Sequence, residues 1–346
     1  MEHDPIVLRP RPAVSGTGAS GPAASIWEMN VAEPSADNTP ARLTIPRQSP
    51  ERLYLPIVAE YDTEQSYKDW VASLRVPPMF RPARVPRTVV VANQKGGAGK
   101  TTTALELAAA WVAMGYRVRV WDADPQKAAL TAVTEPLWLE DVEERDRKTL
   151  TTLFLVRGTR LVEVTYETRF EGLTIVPSLG DLGTVEKHEI MGGQTLIRRA
   201  IEADRKERPG EAPDIELIDS GPTLGLLTMA ALGAADDVIV PVVAGGLDWI
   251  GMQDLDETLT TAREALNPDF RVAAVVLTEW HRSGVQREVA QGLAADYPEA
   301  VVAPVRRSPK IRESPFELVP TRLYAPKDKA VADFAQLASM LITREA

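Results

Sequence analysis

Between Gln94 and Thr103 the chain reads QKGGAGKTTT, directly after the apolar run TVVVAN and at the opening of a helical period from Thr101 to Met114. Glycines at this point let the backbone curl so that its N–H groups converge, and the following helix adds its N-terminal dipole. Lys100 brings a positive charge to the same place and Thr101 a hydroxyl. These groups suit a nucleotide with its metal: amides for phosphate oxygens, Lys100 for the β- and γ-phosphates, Thr101 for magnesium. Gly96, Gly97, Ala98, Gly99, Lys100, Thr101 and Thr102 are therefore the candidate ATP-binding residues, with Mg2+ as the companion ion. A glycine-rich turn with an unrelated lysine is the plainer alternative, but it leaves the strand before and the helix after without a purpose.

Two carboxylate segments fall where phosphate chemistry needs them. WDADPQ, Trp121 to Gln126, closes the second apolar run and offers Asp122 and Asp124. Either aspartate at a strand-to-helix turn can instead be a helix cap, Asp122 more readily than Asp124. IELIDSGPTLG, Ile215 to Gly225, is an apolar strand ending in Asp219, a position from which P-loop enzymes hold magnesium. Glu216 interrupts that apolar strand, and we place it at the strand's wet edge.

The elements around these segments repeat a simple pattern. After Pro86, short apolar runs (TVVVAN, VRVW, LTIVPS, IELID, DDVIVPVV, RVAAVVLT, VVAPV) alternate with helix-like stretches. That alternation predicts an α/β fold, a doubly wound and mostly parallel sheet flanked by helices. A last helix from Lys329 to Thr343 puts Val331, Phe334, Leu337, Ala338 and Leu341 on one face. Residues 1–86 are rich in Pro, Ser and Ala and hold about half of the 27 prolines. They read as a mostly flexible extension, with one short docking helix near residues 63–74, where Tyr67, Trp70, Val71 and Leu74 share helical spacing. The division is thus 1–86 as extension and 87–346 as one nucleotide-binding domain.

Composition excludes several classes. The 346 residues contain no cysteine, so disulfides, thiolate zinc sites and cysteine-held iron–sulfur clusters are ruled out. The first residues lack the layout of a signal peptide, and no apolar run approaches the roughly 20 residues needed to span a bilayer, so a cytoplasmic location is expected. The formal charge of -10 argues against a chain that coats nucleic acid over its whole surface, although a local basic patch is compatible with it.

The ordinary P-loop carries a glycine where this chain has Gln94, followed by Lys95. KGGAGKT resembles the deviant Walker A box of the ParA family, in the ParA/MinD superfamily of P-loop ATPases. The likeness runs roughly from Arg87 to Ile342, about three-quarters of the chain, and takes in GPTLGLLTMAALGAADDVIVPV, AVVLTEWHRSGVQREV, SPKIRESP and the final helix. It implies that Lys95 reaches a partner subunit's nucleotide in an ATP-dependent homodimer. It implies that WDADPQ is switch I, with Asp124 orienting the attacking water and bearing on magnesium, and that the segment after Asp219 is switch II. Lys95, Lys100 and Asp124 then carry the chemistry, and Thr101, Asp124 and Asp219 surround the metal. The family usually has two adjacent prolines after the switch II aspartate, whereas Ser220 and Gly221 precede a single Pro222 here, so a more flexible switch II is expected.

The resemblance also implies non-specific DNA binding, nucleoid association and a ParB-like partner that stimulates hydrolysis. Arg282 matches a DNA-binding arginine, Arg263 matches more weakly, and Arg306, Arg307, Lys310 and Arg312 form a basic cluster. Pairing of that cluster with acids such as Glu313 is the competing reading. Three other functions stay open at this point. A MinD-type membrane-surface ATPase is opposed by the polar face of the last helix, which carries Asp333, Gln336 and Ser339 instead of cations. A metabolic ligase on the same fold would not need Lys95. A repressor reading through the extension has poor support, since its charges nearly balance.

Overall fold

The structure, a computed structural model, describes residues 45, 87–126, 128–136, 142–143, 146–243, 250–281 and 283–342, with the backbone alone for 250–254. The helix expected near 63–74, and all of the extension except Ile45, lie outside the described residues. Ile45 is buried against the helix-covered face of the sheet that also holds Leu107, Trp111 and Phe334.

Eight strands form one sheet: β1 (Arg87–Val91), β2 (Val118–Ala123), β3 (Tyr166–Glu167), β4 (Leu173–Val176), β5 (Ile215–Ser220), β6 (Asp237–Val243), β7 (Arg271–Trp280) and β8 (Val301–Arg306). Their spatial order is β3-β4-β2-β5-β1-β6-β7-β8. Every pairing is parallel except that of β3 with β4 at one edge. The helices are α1 (Lys100–Ala113), α2 (Ala129–Thr134), α3 (Leu150–Leu155), α4 (Leu196–Glu207), α5 (Leu226–Ala234), α6 (Ile250–Ala265), α7 (Gly284–Asp296), α8 (Pro309–Glu313), α9 (Thr321–Tyr324) and α10 (Lys329–Ile342).

The expected apolar runs all become strands, and β1, β2, β5 and β6 are buried on both faces, as parallel strands between helix layers must be, whereas the edge strand β8 is half-buried. Alternation splits them between two cores. Val90, Trp121 and Ile218 face one layer with residues of α3, α4 and α5. Val89, Val91 and Val120 face the other, with α1 and α10. α10 ends at Ile342, close to its expected limit, and its carbonyl at Ala338 accepts a hydrogen bond from Trp111 Nε1 at 3.1 Å. β3, only two residues long, had no apolar signature to announce it.

Glu216 corrects the sequence reading. It is fully buried, not at a wet edge. Arg119, its register partner on β2, meets it at 2.6 and 2.9 Å, and Trp121 Nε1 donates to it at 2.7 Å. Asp204 of α4 takes the other side of Arg119 at 2.8 Å. A buried glutamate is tolerable when its lone pairs are filled in this way. The signal was Arg119, at an alternating position in the neighbouring strand, and only the strand order makes the two adjacent.

On the other face, Glu106 of α1 is also buried and accepts the backbone N–H of Thr321 at 2.7 Å, tying α9 to the helix that follows the glycine-rich loop. Burial pushes this carboxyl up, and the bonds from Thr321 and the charge of Arg322 oppose the shift.

Candidate nucleotide site

Strands β1, β2 and β5 sit side by side, so the loops at their carboxyl ends converge, as ligand loops do in open α/β sheets. β1 delivers residues 94–99, which turn into α1. Gly97 and Gly99 take φ of 79° and 92°, a left-handed region that glycine enters without a Cβ penalty. Gly99 also has a steric requirement: an added Cβ would lie 3.2 Å from the Thr278 methyl.

The loop is braced from outside. Asn93 donates to the Pro241 carbonyl at 2.6 Å and accepts the N–H of Lys95 at 2.8 Å. Gln94 Nε2 donates to Thr258 at 2.8 Å, which gives the residue standing where the ordinary motif has glycine a bracing role. Thr278 Oγ1 lies 3.1 Å from the Ala98 carbonyl and 3.2 Å from that of Val242. Asn93 and Thr278 were not among the sequence candidates; each is a polar residue ending an apolar run, TVVVAN and RVAAVVLT, which is the sequence signal they give.

Lys100 folds back over the loop, with Nζ 3.3 Å from the Lys95 carbonyl. Burial lowers its pKa, and the charges of Asp219 and Asp124 work against that shift. Lys95 itself is exposed, as are Gly96 and Gly97, while Ala98 is buried and Thr101 and Thr102 are half-buried. Lys100 and Thr101 thus lie beside Asp124 and Asp219 at the ends of β2 and β5.

The three aspartates are in different states. Asp122 is buried, and one of its oxygens accepts both the N–H and the hydroxyl of Thr131, at 2.8 and 2.7 Å. Desolvation raises its pKa to about 6 despite those bonds. Asp122 therefore does what its capping alternative described: it fixes the start of α2. Asp124 is half-buried, accepts the N–H of Gln126 at 2.9 Å, and lies close enough for its charge to act on Lys100 and Asp219.

Asp219 is 1% exposed, and neither of its oxygens has a hydrogen-bond partner of ordinary geometry among the described residues. Burial drives its pKa well above the usual carboxylate range, Asp122 adds to this, and the Thr101 side chain and Lys100 oppose it.

An orphaned, buried carboxylate beside a threonine hydroxyl is an unsatisfied arrangement by itself and a suitable one for a hard cation. No group of three or more His, Cys, Asp or Glu side chains among the described residues is arranged to hold a metal alone. Magnesium does not ask for one: it is commonly held by one or two carboxylates together with substrate phosphates. Thr101, Asp219 and, at the open side, Asp124 fit that requirement.

The segment after Asp219 lies close to the Asp124 loop. Gly221 is buried and packs tightly on switch I: an added Cβ would lie 2.8 Å from Pro125 Cδ and 3.2 Å from Asp124 Oδ1. The glycine that replaces a proline of the family pattern thus allows the two loops to touch.

The basic candidates are less concentrated. Arg263 of α6 stacks on Phe270, 4.8 Å from the ring centre, and donates to its carbonyl. Arg282 lies outside the described residues. Arg306 is held by Asp333 at 2.9 Å, Lys310 by Glu313 at 2.7 Å, and Arg312 by Glu279. Arg307 is exposed and has no salt bridge among the described residues. With Lys327 and Lys329, Arg306 and Arg307 line a cleft beyond the ends of β7 and β8. No helix among the described residues is long and apolar enough to cross a membrane.

Comparison with known proteins places this site in context. The family model described as an AAA domain matches residues 86–272. The chain is 34% identical over 266 residues to the chromosome partitioning protein ParA of Caulobacter vibrioides, covering 75% of this chain and 95% of that one. Among solved structures, cobyrinic acid a,c-diamide synthase from Mycobacterium smegmatis with bound ADP and magnesium superposes with a TM-score of 0.58 at 27% identity, over 73% of this chain and 92% of that one. The septum site-determining protein MinD of Pyrococcus horikoshii, complexed with Mg-ADP, gives a TM-score of 0.58 at 25% identity, over 73% and 94%. The family match, the ParA relative and the lysine-bearing loop agree: the chain belongs to the ParA family, within the ParA/MinD superfamily of P-loop ATPases.

Proposed function

We propose that this chain is an ATP-driven switch that dimerises on Mg-ATP, binds DNA without sequence preference as a dimer, and is reset by slow hydrolysis. The observation that carries the reading is the convergence of Lys100, Thr101, Asp124 and the orphaned Asp219 at the mouth of three adjacent strands. The backbone of residues 96–102 and the Lys100 ammonium hold the phosphates. Thr101 and Asp219 hold magnesium, which when bound neutralises charge on the phosphate oxygens. Asp124, half-buried beside them, orients the attacking water. Exposed Lys95 reaches the nucleotide of a second copy, so that ATP becomes part of the interface.

Exposed Arg307, with Arg282 of the family pattern and the cations around the β7–β8 cleft, supplies phosphate contacts for DNA. The internal ion pairs of Arg306 and Lys310 make those two weaker candidates, and Arg263 is occupied by Phe270. The likeness to a chromosome partitioning protein supports a role in moving or positioning a DNA or protein cargo, with a ParB-like protein stimulating turnover in a cytoplasmic, nucleoid-associated setting.

The test is DNA binding by the purified protein with ATP, ADP or no nucleotide at two salt concentrations, with anionic liposomes as the control surface. Binding that requires ATP and weakens with salt is expected. ATP-dependent binding to liposomes would favour a MinD-type role. ATP binding with neither surface engaged would favour a metabolic enzyme on the same fold, as the cobyrinic acid a,c-diamide synthase is.

A further inference from the structure

One segment touches both acidic loops. At its start, the N–H of Ser178 donates to Thr131 Oγ1 at 3.0 Å, and the same hydroxyl donates to Asp122 at 2.7 Å. In its middle, Gly183 passes the Pro125 carbonyl of switch I, within 4.0 Å of where a Cβ would stand. Near its end, half-buried Glu186 reaches the first turn of α5, the helix that switch II leads into. Its two oxygens accept the N–H groups of Leu226 at 2.7 Å and Leu227 at 3.1 Å.

The approach depends on a glycine. A Cβ on Gly225 would overlap the Glu186 carboxylate. Gly225 is also the N-cap of α5 and has no side chain to offer, so the cap is supplied from 39 residues upstream in sequence. The carboxylate fills two of the four N–H groups a helix leaves open and sets a negative charge at its positive end.

We propose that Glu186 is a positioning residue for hydrolysis: it clasps the start of α5 and thereby holds residues 220–225, which follow Asp219, in register with switch I. Two observations connect the clasp to the chemistry. Only five residues separate Asp219 from Gly225, and within them Gly221 already abuts Asp124 and Pro125. With α5 unclasped, the loop gains freedom at the place where the water-orienting aspartate is packed. A cap serving α5 alone would lower stability and leave turnover unchanged. The inference rests on the hydrolytic reading above.

The experiment compares Glu186→Gln and Glu186→Ala with the wild-type chain in amide exchange, ATP binding and steady-state turnover. Gln keeps the length and one acceptor oxygen, and Ala removes both. The expected result is faster exchange at Leu226 and Leu227 in both variants, with KM for ATP within about twofold of wild type. A kcat lowered about fivefold in Gln and about tenfold in Ala is expected from the energy of a lost cap appearing in the barrier. Wild-type kcat in a variant whose α5 amides exchange faster would overturn the proposal, as would unchanged exchange. Parallel loss of ATP binding and kcat would reduce Glu186 to a structural cap and overturn it too. Should the Ala variant not fold, the Gln variant carries the same readouts. A wild-type chain that binds ATP and never turns it over would instead overturn the hydrolytic reading itself, a result distinct from a variant that matches an active wild type.

Discussion

Gly221→Ala probes the contact between the two switches with a single methyl group. The backbone at Gly221 is not in the left-handed region, so alanine meets no conformational penalty there and even restricts the unfolded chain, a gain of about 0.4–1 kcal/mol. The opposing effect is steric. The new Cβ would stand 2.8 Å from Pro125 Cδ and 3.2 Å from Asp124 Oδ1, and a proline ring bonded into the backbone cannot swing aside. Overpacking of this kind costs about 1–3 kcal/mol, so a net destabilisation of about 1–2 kcal/mol remains. The cheapest relief is a shift of the Asp124 loop, which would transfer that cost to the barrier. At about 1.4 kcal/mol per factor of ten, kcat should fall roughly five- to thirtyfold. The P-loop lies on the neighbouring strand β1 and keeps its braces, so ATP affinity should stay within about threefold, an energy below about 0.7 kcal/mol. Chemical denaturation, ATP titration and single-turnover hydrolysis together check these numbers. Wild-type single-turnover rates in a variant destabilised by the expected amount would refute the claim that this contact sets the position of Asp124.

Other substitutions separate the roles assigned above. Lys100→Ala should abolish detectable ATP binding, whereas Asp124→Ala should bind ATP and stop hydrolysing it; equal loss of binding in both, by calorimetry, would remove the role given to Asp124. Glu216→Ala strips Arg119 of its bidentate partner inside the protein and leaves only Asp204, so denaturant unfolding should show a loss of about 3–5 kcal/mol. Glu163 titrates at about 2, held down first by its hydrogen bond from Lys148 and then by Arg160. A depressed carboxyl contributes stability above its ordinary pKa of 4.5 and loses it as the pH falls through 2. In Lys148→Ala, NMR titration should find that carboxyl moved upward; an unmoved value would mean that Lys148 does not hold it.

The P-loop was legible because its signal is local: QKGGAGKTTT carries turn, charge and helix start in ten consecutive residues, and Lys100, Thr101 and Asp219 stand together. Strands β1, β6 and β7 were equally plain, since burial on both faces leaves long apolar runs, and β5 was readable despite Glu216. Residues that act through pairs distant in sequence were not legible. Glu216 looked out of place until the strand order set Arg119 beside it, 97 residues away. Thr278 braces Ala98 across 180 residues. Glu186 belongs to no motif, its partners are the backbone N–H groups of Leu226 and Leu227, and the Gly225 that makes room for it reads as an ordinary turn residue. The basic cluster was legible as charge, and its pairing with Glu313 was one of the two readings open from the sequence; Asp333, 27 residues from Arg306, was not.

The central claim is that ATP joins two copies of this chain. Light scattering on the Asp124→Ala protein, which should hold ATP without consuming it, tests that claim most directly. With Mg-ATP the mass should be twice that of the monomer, and with ADP it should return to one chain. A monomer mass in both states, with ATP shown to be bound, would contradict the account.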